Sequence, residues 1–220
     1  MPTETFLNLP PQKRELIITY ALKEFSTKPF TEASVNTIVK NAGISKGSLY
    51  QYFKDKTDLY LYILDIAGQR KLQYLEECQR NVKNDDFFEK ITSLMMEGCR
   101  FDLENPLFSQ LLYQALTGPL VDVSIEQMKS MNRKYMQQML CQAIEHRQIR
   151  EDVALDMLVF FLSTLTIEFA KHIAQKAEVK DFKDIYTSKE LESIKTMDYA
   201  ALITDWVKLI RSALLPETKE

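Results

Sequence analysis

Apolar residues between Pro11 and Phe25 recur at helical spacing. Leu16, Ile17, Tyr20, Ala21 and Phe25 trace one face. Pro10 and Pro11 suit a first helical turn, where a missing N–H leaves no bond unmade. Pro29 turns Lys28 away from helix, so the pattern predicts a helix ending near Thr27. A second short helix starts at Ser34, a good N-cap, and points Val35, Ile38 and Val39 inward. Ala42-Gly43 ends it, because glycine readily takes the left-handed conformation that closes a helix. Ile44 packs back and Ser45 caps a third helix, in which Leu49 and Phe53 face inward and turn Tyr50, Gln51 and Tyr52 toward solvent. Two short helices joined by a brief Gly-containing turn make a helix-turn-helix pattern. Asp55 caps a fourth helix and Asp58 supports its first turn. Its inner face is Leu59, Ile63, Ile66 and Ala67, and no breaker appears before about Asn81.

Every later segment with a clear rhythm is helical. The pattern predicts helices over 86–103, 106–117, 121–147, 152–177 and 197–214, broken at Asn105-Pro106, Gly118-Pro119 and Asp152. The stretch 178–196 is weakly periodic and reads as a loop or a short helix. No strand alternation stands out. The expected fold is all-α, with a helix-turn-helix head at 1–55 and a larger helical body at 56–220.

Composition agrees. The chain has 220 residues and is 45% hydrophobic, enough for a real core, while 5 Gly and 7 Pro are few for a turn-rich β fold. Its formal net charge of -3 hides an asymmetry. Residues 1–60 carry eight Lys/Arg against six Asp/Glu, and the remainder is acidic. A mildly basic head on an acidic body fits a module that faces a polyanion. Cys78, Cys99 and Cys141 are widely spaced and form no CxxC pair, which argues against a disulfide scaffold or a zinc site. The start lacks a signal-peptide pattern, and the longest apolar run, Met157 to Leu162, is too short to span a bilayer. A cytoplasmic protein without membrane partners is expected.

Enzymatic chemistry finds little support. His146 and His172 are the only histidines, and no Walker loop, HExxH or GxSxG occurs. Glu168 and His172 share a helical face, but two ligands alone rarely hold a metal. No catalytic residue, metal or cofactor is assigned.

The informative stretch runs from Ala42 to Lys56. A helix of this size fits the major groove of B-DNA, and its first turns must offer small or hydrogen-bonding side chains to phosphates and base edges. Ser45 and Ser48 offer hydroxyls, Gly47 leaves no side chain between backbone and DNA, and Lys46, Lys54 and Lys56 offer charge to phosphates. Tyr50 and Gln51 are placed to read bases. Asn36 and Thr37, at the start of the second helix, are also placed near a phosphate.

Residues 11–65 resemble the DNA-binding segment of the TetR family of bacterial transcriptional regulators. The resemblance rests on the apolar first helix, Ser34-Val35-x-x-Ile38, Ala42-Gly43-Ile44-Ser45-Lys46-Gly47, Leu49-Tyr50-x-Tyr52-Phe53 and Lys56-x-x-Leu59. It adds Ser34 to the DNA-contacting set and, with the chemistry of the side chains, implies phosphate contacts from Tyr52, Thr37 and Ser48. Pro29 departs from the pattern, standing where such proteins often have Gly, and Asn36 and Thr37 stand where charged residues are common. The resemblance implies a homodimer with a ligand-binding and dimerising body. It implies a repressor on a palindromic operator, released by a small hydrophobic or aromatic molecule. An activator, or a helical adaptor without DNA-binding activity, are the alternatives.

Two surfaces of the body complete the expectation. Met157, Phe160, Phe161 and Thr164 on one helix, with Leu202, Ile203, Trp206, Leu209, Ile210 and Ala213 on the last, are expected to form the dimer interface. Met96, Phe101, Phe108, Tyr113, Met131, Tyr135, Met139 and Phe169 are expected to line an apolar pocket, with Arg100, Glu168 and His172 as its polar members.

Overall fold

The computed structural model describes residues 2–80, 85–115, 119–176 and 196–216, and side chains throughout these except 121–132 and 174. Ten α-helices lie among the described residues. They are α1 (Glu4–Leu7), α2 (Pro11–Thr27), α3 (Val35–Asn41), α4 (Lys46–Tyr52), α5 (Lys56–Arg80), α6 (Phe87–Glu104), α7 (Pro106–Ala115), α8 (Val121–Glu145), α9 (Leu155–Lys176) and α10 (Tyr199–Leu214). The all-α expectation holds, and each predicted helix is present to within three residues at its described ends. The short α1 was not predicted. The weakly periodic stretch, up to residue 195, lies outside the described residues, as does the side chain of Met131.

Punctuation works as its chemistry requires. Pro11 opens α2, and Lys28, before Pro29, is extended at φ −136° and ψ 145°. The Asp55 carboxylate accepts from the Asp58 amide at 2.8 Å, and Asp58 reaches back to the Lys54 amide at 3.1 Å. Both ends of the α5 cap are thereby satisfied.

The chain divides into two compact units. One comprises Met1–Arg70 with Asn105–Met128, and the other Lys71–Glu104 with Lys129–Glu220. The first therefore takes in α7 and most of α5 beyond the head as read at 1–55. Within it α2 packs on α3 and α7, and the Gln114 amide donates to the Ser26 carbonyl at 2.9 Å. Its core is Phe6, Ile17, Ala21, Phe25, Ile38, Leu49, Phe53, Leu59 and Ile63, all fully or almost fully buried. Each such side chain stabilises the unit by roughly 1.5–3 kcal/mol of apolar burial.

The second unit is stitched by polar contacts along α5 and α6. The Lys71 ammonium meets both Asp102 carboxylate oxygens, at 2.7 and 2.9 Å. The Tyr74 hydroxyl donates to Glu97 at 2.9 Å, and Arg100 pairs with the same carboxylate at 3.0 Å. Burial first, and then Glu97, holds the Tyr74 hydroxyl far above its usual pKa. The turn after α8 is pinned by Gln148, whose side chain accepts from the Phe87 amide at 2.9 Å and donates to the Asp85 carbonyl at 2.7 Å. α10 packs on α6, with the Arg211 guanidinium 4.4 Å from the Phe88 ring centre.

Several body residues sit elsewhere than expected. Ile203, Trp206 and Ile210 are buried within the second unit, Trp206 with its ring 5.4 Å from Phe169, so they are core and not free interface. Phe161 and Leu202 are half-buried against the same core. Met157, Phe160, Thr164, Leu209 and Ala213 do face solvent. A 3.6-residue period marks an apolar face but does not say whether the same chain covers it. Among the pocket residues, Phe101, Met139 and Phe169 are packed into the core, and Phe108 and Tyr113 belong to the first unit. Met96 and Tyr135 are half-buried in the second unit. Arg100, Glu168 and His172 are exposed, and Glu168 pairs with Lys171 at 2.6 Å. Among the described residues no cluster of three or more His, Cys, Asp or Glu is arranged for a metal, and no helix is long and apolar enough to cross a membrane.

Candidate nucleic-acid interface

The helix-turn-helix is built by α3, the turn Ala42–Ser45 and α4. Ser34 caps α3, its hydroxyl accepting from the Thr37 amide at 3.4 Å. Behind it the buried Glu24 carboxylate accepts from the Ser34 amide at 2.9 Å and from the Lys28 ammonium at 2.8 Å. At the other end the Ile44 amide donates to Val39 and the Gly43 amide to Lys40, at 3.0 and 3.4 Å. That is the paired closure of a Schellman motif, with Gly43 at φ +66° in the left-handed position that glycine takes without strain.

Ser45 then caps α4. Its Oγ accepts from the Ser48 amide at 2.9 Å and lies 2.8 Å from the Ser48 hydroxyl. Leu49 and Phe53 are buried as the spacing predicts. This fixes which way α4 faces. Asn36, Ser45, Lys46, Gly47, Tyr50, Gln51 and Lys54 are exposed together, with Ser34, Thr37 and Ser48 half-buried at the edge. Gly47 has no internal reason to be glycine. A Cβ there would meet only the Ser45 hydroxyl, at an ordinary 3.8 Å, although glycine costs a helix about 1 kcal/mol relative to alanine.

Two residues depart from their expected roles. Tyr52 is buried rather than turned toward the groove, its ring 5.8 Å from that of Phe6. The reason is that α4 stops at Tyr52 and the extended Phe53 follows, so both rings enter one aromatic cluster. Lys56 is engaged inside the unit. Its ammonium donates to the carbonyls of Phe30 and Ala33 at 2.7 and 3.1 Å and lies 4.4 Å over the Phe30 ring. It braces the α2–α3 connection in place of offering a free charge to phosphate. Sequence reading also missed Thr3, whose hydroxyl donates to the Gln51 carbonyl at 2.9 Å. A lone threonine before a one-turn helix carries no periodic signal.

Residues 17–63 match the family described as bacterial regulatory proteins, tetR family. The chain is 34% identical over 67 residues to the HTH-type transcriptional regulator AcrR of Shigella flexneri, covering 29% of this chain and 31% of that protein. It is 24% identical over 144 residues to YvdT of Bacillus subtilis, named as an uncharacterized HTH-type transcriptional regulator, covering 64% of this chain and 72% of YvdT. The match to AcrR thus spans about a third of that relative's length. A solved TetR family transcriptional regulator from Chloroflexus aurantiacus aligns over 97% of this chain and 98% of its own, at a TM-score of 0.69 and 28% identity. FadR of Bacillus subtilis, solved in complex with stearoyl-CoA, shares the fold at a TM-score of 0.61 and 18% identity over 83% of this chain and 97% of its own. A capped helix-turn-helix of this geometry, matched by the tetR family over residues 17–63, and a likeness to a solved TetR family regulator that runs from end to end make the chain similar to the TetR family.

Proposed function

We propose that the protein is a DNA-binding transcriptional regulator that reads a palindromic operator as a homodimer and represses until a small apolar molecule releases it. One observation carries the DNA-binding reading. Lys46, Gly47, Tyr50 and Gln51 form an exposed face on a helix capped at its start, with Lys54 exposed just beyond its end, and Gly47 serves no packing purpose there. Such a face allows a backbone to approach a phosphate while Tyr50 and Gln51 reach base edges. Asn36 and Thr37 flank it at the start of α3, where free N–H groups favour an anion.

The test is a binding titration on duplexes selected from a random pool, repeated across salt. Lys46→Ala should weaken binding to all sequences alike and reduce the salt slope by about 1. Gln51→Ala should instead relax base preference at one position, worth roughly 1–3 kcal/mol of discrimination. Absence of any selected sequence would overturn the reading, and an unchanged preference in Gln51→Ala would remove its base-reading role.

The dimer rests on a different surface. Met157, Phe160, Thr164 and Ile167 recur at i, i+3, i+7 and i+10 on the solvent face of α9, with Phe160 62% exposed, and Leu209 on α10 is 72% exposed. Large apolar side chains so placed, one turn after another, are characteristic of a surface that another chain covers. Two heads on one operator must also sit about one DNA turn apart, ~34–36 Å, which a dimer provides. Phe160→Glu should yield a folded monomer by sedimentation at micromolar concentration, with unchanged helical content. A dimer surviving both Phe160→Glu and Leu209→Glu would remove this interface.

The effector is the third part. The second unit is rich in Met and aromatic side chains, and the related fold of FadR was solved with an acyl-CoA. Met96 and Tyr135, half-buried, are the nominated residues best placed to touch an apolar molecule there.

A further inference from the structure

We propose that α1 is a positioning element for DNA recognition and that Thr3 acts as the C-terminal cap of the recognition helix α4 in trans. The inference rests on the DNA-binding reading of α4 and adds residues that lie outside the helix-turn-helix.

A helix leaves its last carbonyls without intrahelical partners, and in one of seven residues these are a large share of all its bonds. Short helices are marginal by themselves, and Gly47 weakens this one further. Here the Thr3 hydroxyl donates to the Gln51 carbonyl at 2.9 Å and the Thr3 amide donates to the Tyr52 carbonyl at 3.0 Å. One residue, 48 positions earlier, thus closes the two final carbonyls of α4. Phe6 fixes the angle. It has no exposed surface, and its ring centre lies 5.8 Å from Tyr52, 4.8 Å from Phe53 and 5.5 Å from Tyr62. α1 is itself held at its far end, where the Arg14 guanidinium donates to the Leu7 carbonyl at 2.7 Å. A continuous chain of bonds and packed rings therefore runs from α2 through α1 to the end of α4.

The position of this brace decides what it does. Tyr50 and Gln51 occupy the last turn of α4, beside the carbonyls that Thr3 caps. Loosening the cap lets that turn fray, and a base-reading side chain then loses its angle to the groove. Lys46 at the first turn is held independently by the Ser45 cap, so attraction to phosphates survives. α1 accordingly governs selectivity more than general affinity for DNA.

The full-length protein is titrated at low temperature, well below its melting point. One duplex is selected from a random pool by the unmodified protein, and another of equal length is unselected. Thr3→Val removes the hydroxyl at nearly constant shape and should weaken the selected duplex about fivefold. Phe6→Ala should weaken it by about tenfold or more. Both should leave the unselected duplex and its salt slope within about twofold, and Thr3→Ser should restore selectivity. Faster hydrogen exchange at the α4 amides should accompany the loss. If the variants merely melt earlier while the selected-to-unselected ratio stays constant, the proposal is overturned. Should Phe6→Ala not fold, the Thr3 pair decides alone. Failure of the unmodified protein to select any sequence is a separate result that removes the DNA-binding reading and this inference with it.

Discussion

Phe25→Ala should lower the stability of the first unit by about 3–5 kcal/mol, the cost of deleting a fully buried aromatic side chain and leaving a cavity. Phe25 has no exposed surface, and its ring meets Tyr60 edge-on at 5.2 Å and Phe30 at 6.4 Å. Little can collapse into the gap, because Tyr60 and Phe30 also hold each other at 5.1 Å and Lys56 caps the Phe30 ring. Against a total of roughly 5–15 kcal/mol for a domain, the loss should shift thermal melting by ~10 °C or more. Leu16→Ala is the control on the same helix. Leu16 is 47% exposed, and its loss should cost under about 1 kcal/mol. Circular dichroism melts of the two variants provide the comparison. Equal shifts would contradict the packing described for α2.

The second large effect concerns the Lys71–Asp102 pair. Asp102→Ala strands an ammonium whose side chain is only 25% exposed and should cost about 2–3 kcal/mol. Part of the full penalty of a broken buried pair is relieved because Lys71 retains some access to water. The double variant Lys71→Met/Asp102→Leu should recover to within about 1 kcal/mol of the parent, since apolar groups of similar volume remove both desolvation costs together. Denaturant unfolding of the two variants decides the matter. A double variant as unstable as Asp102→Ala would mean that other contacts of Asp102 dominate.

These two effects were unequally legible from the sequence. Phe25 declared itself by recurring at helical spacing with Ile17 and Ala21, because the solvent boundary of a helix imposes its period on the sequence. Leu16 obeyed the same period and is nevertheless exposed: a face marked to within one position does not locate its edge. Asp102 and Lys71 stand 31 residues apart, and on separate helices each looks like an ordinary solvated charge. Pairing is a property of how helices cross, which no local spacing records. The same limit explains Trp206 and Ile210 on α10. Their apolar period was visible, but the sequence does not distinguish a face covered within the chain from one covered by a second copy.

Local chemistry was settled by the sequence itself. Ser34, Gly43, Ser45 and Asp55 bound the helices at their stated positions, because capping and left-handed closure depend on atoms within a few residues of one another. The exposed face of α4 followed from Leu49 and Phe53 being buried at i and i+4. Only the tertiary structure decided that Lys56 braces the α2–α3 connection, that Tyr52 turns inward, and that Thr3 closes α4. In each case the deciding partner is remote in sequence: Phe30 and Ala33 for Lys56, Phe6 for Tyr52, Gln51 for Thr3. A long flexible side chain, an aromatic ring at a helix end and a hydroxyl near a chain terminus each have several physically acceptable partners. Which partner is taken depends on the packing of whole helices, and that is fixed only when the core closes.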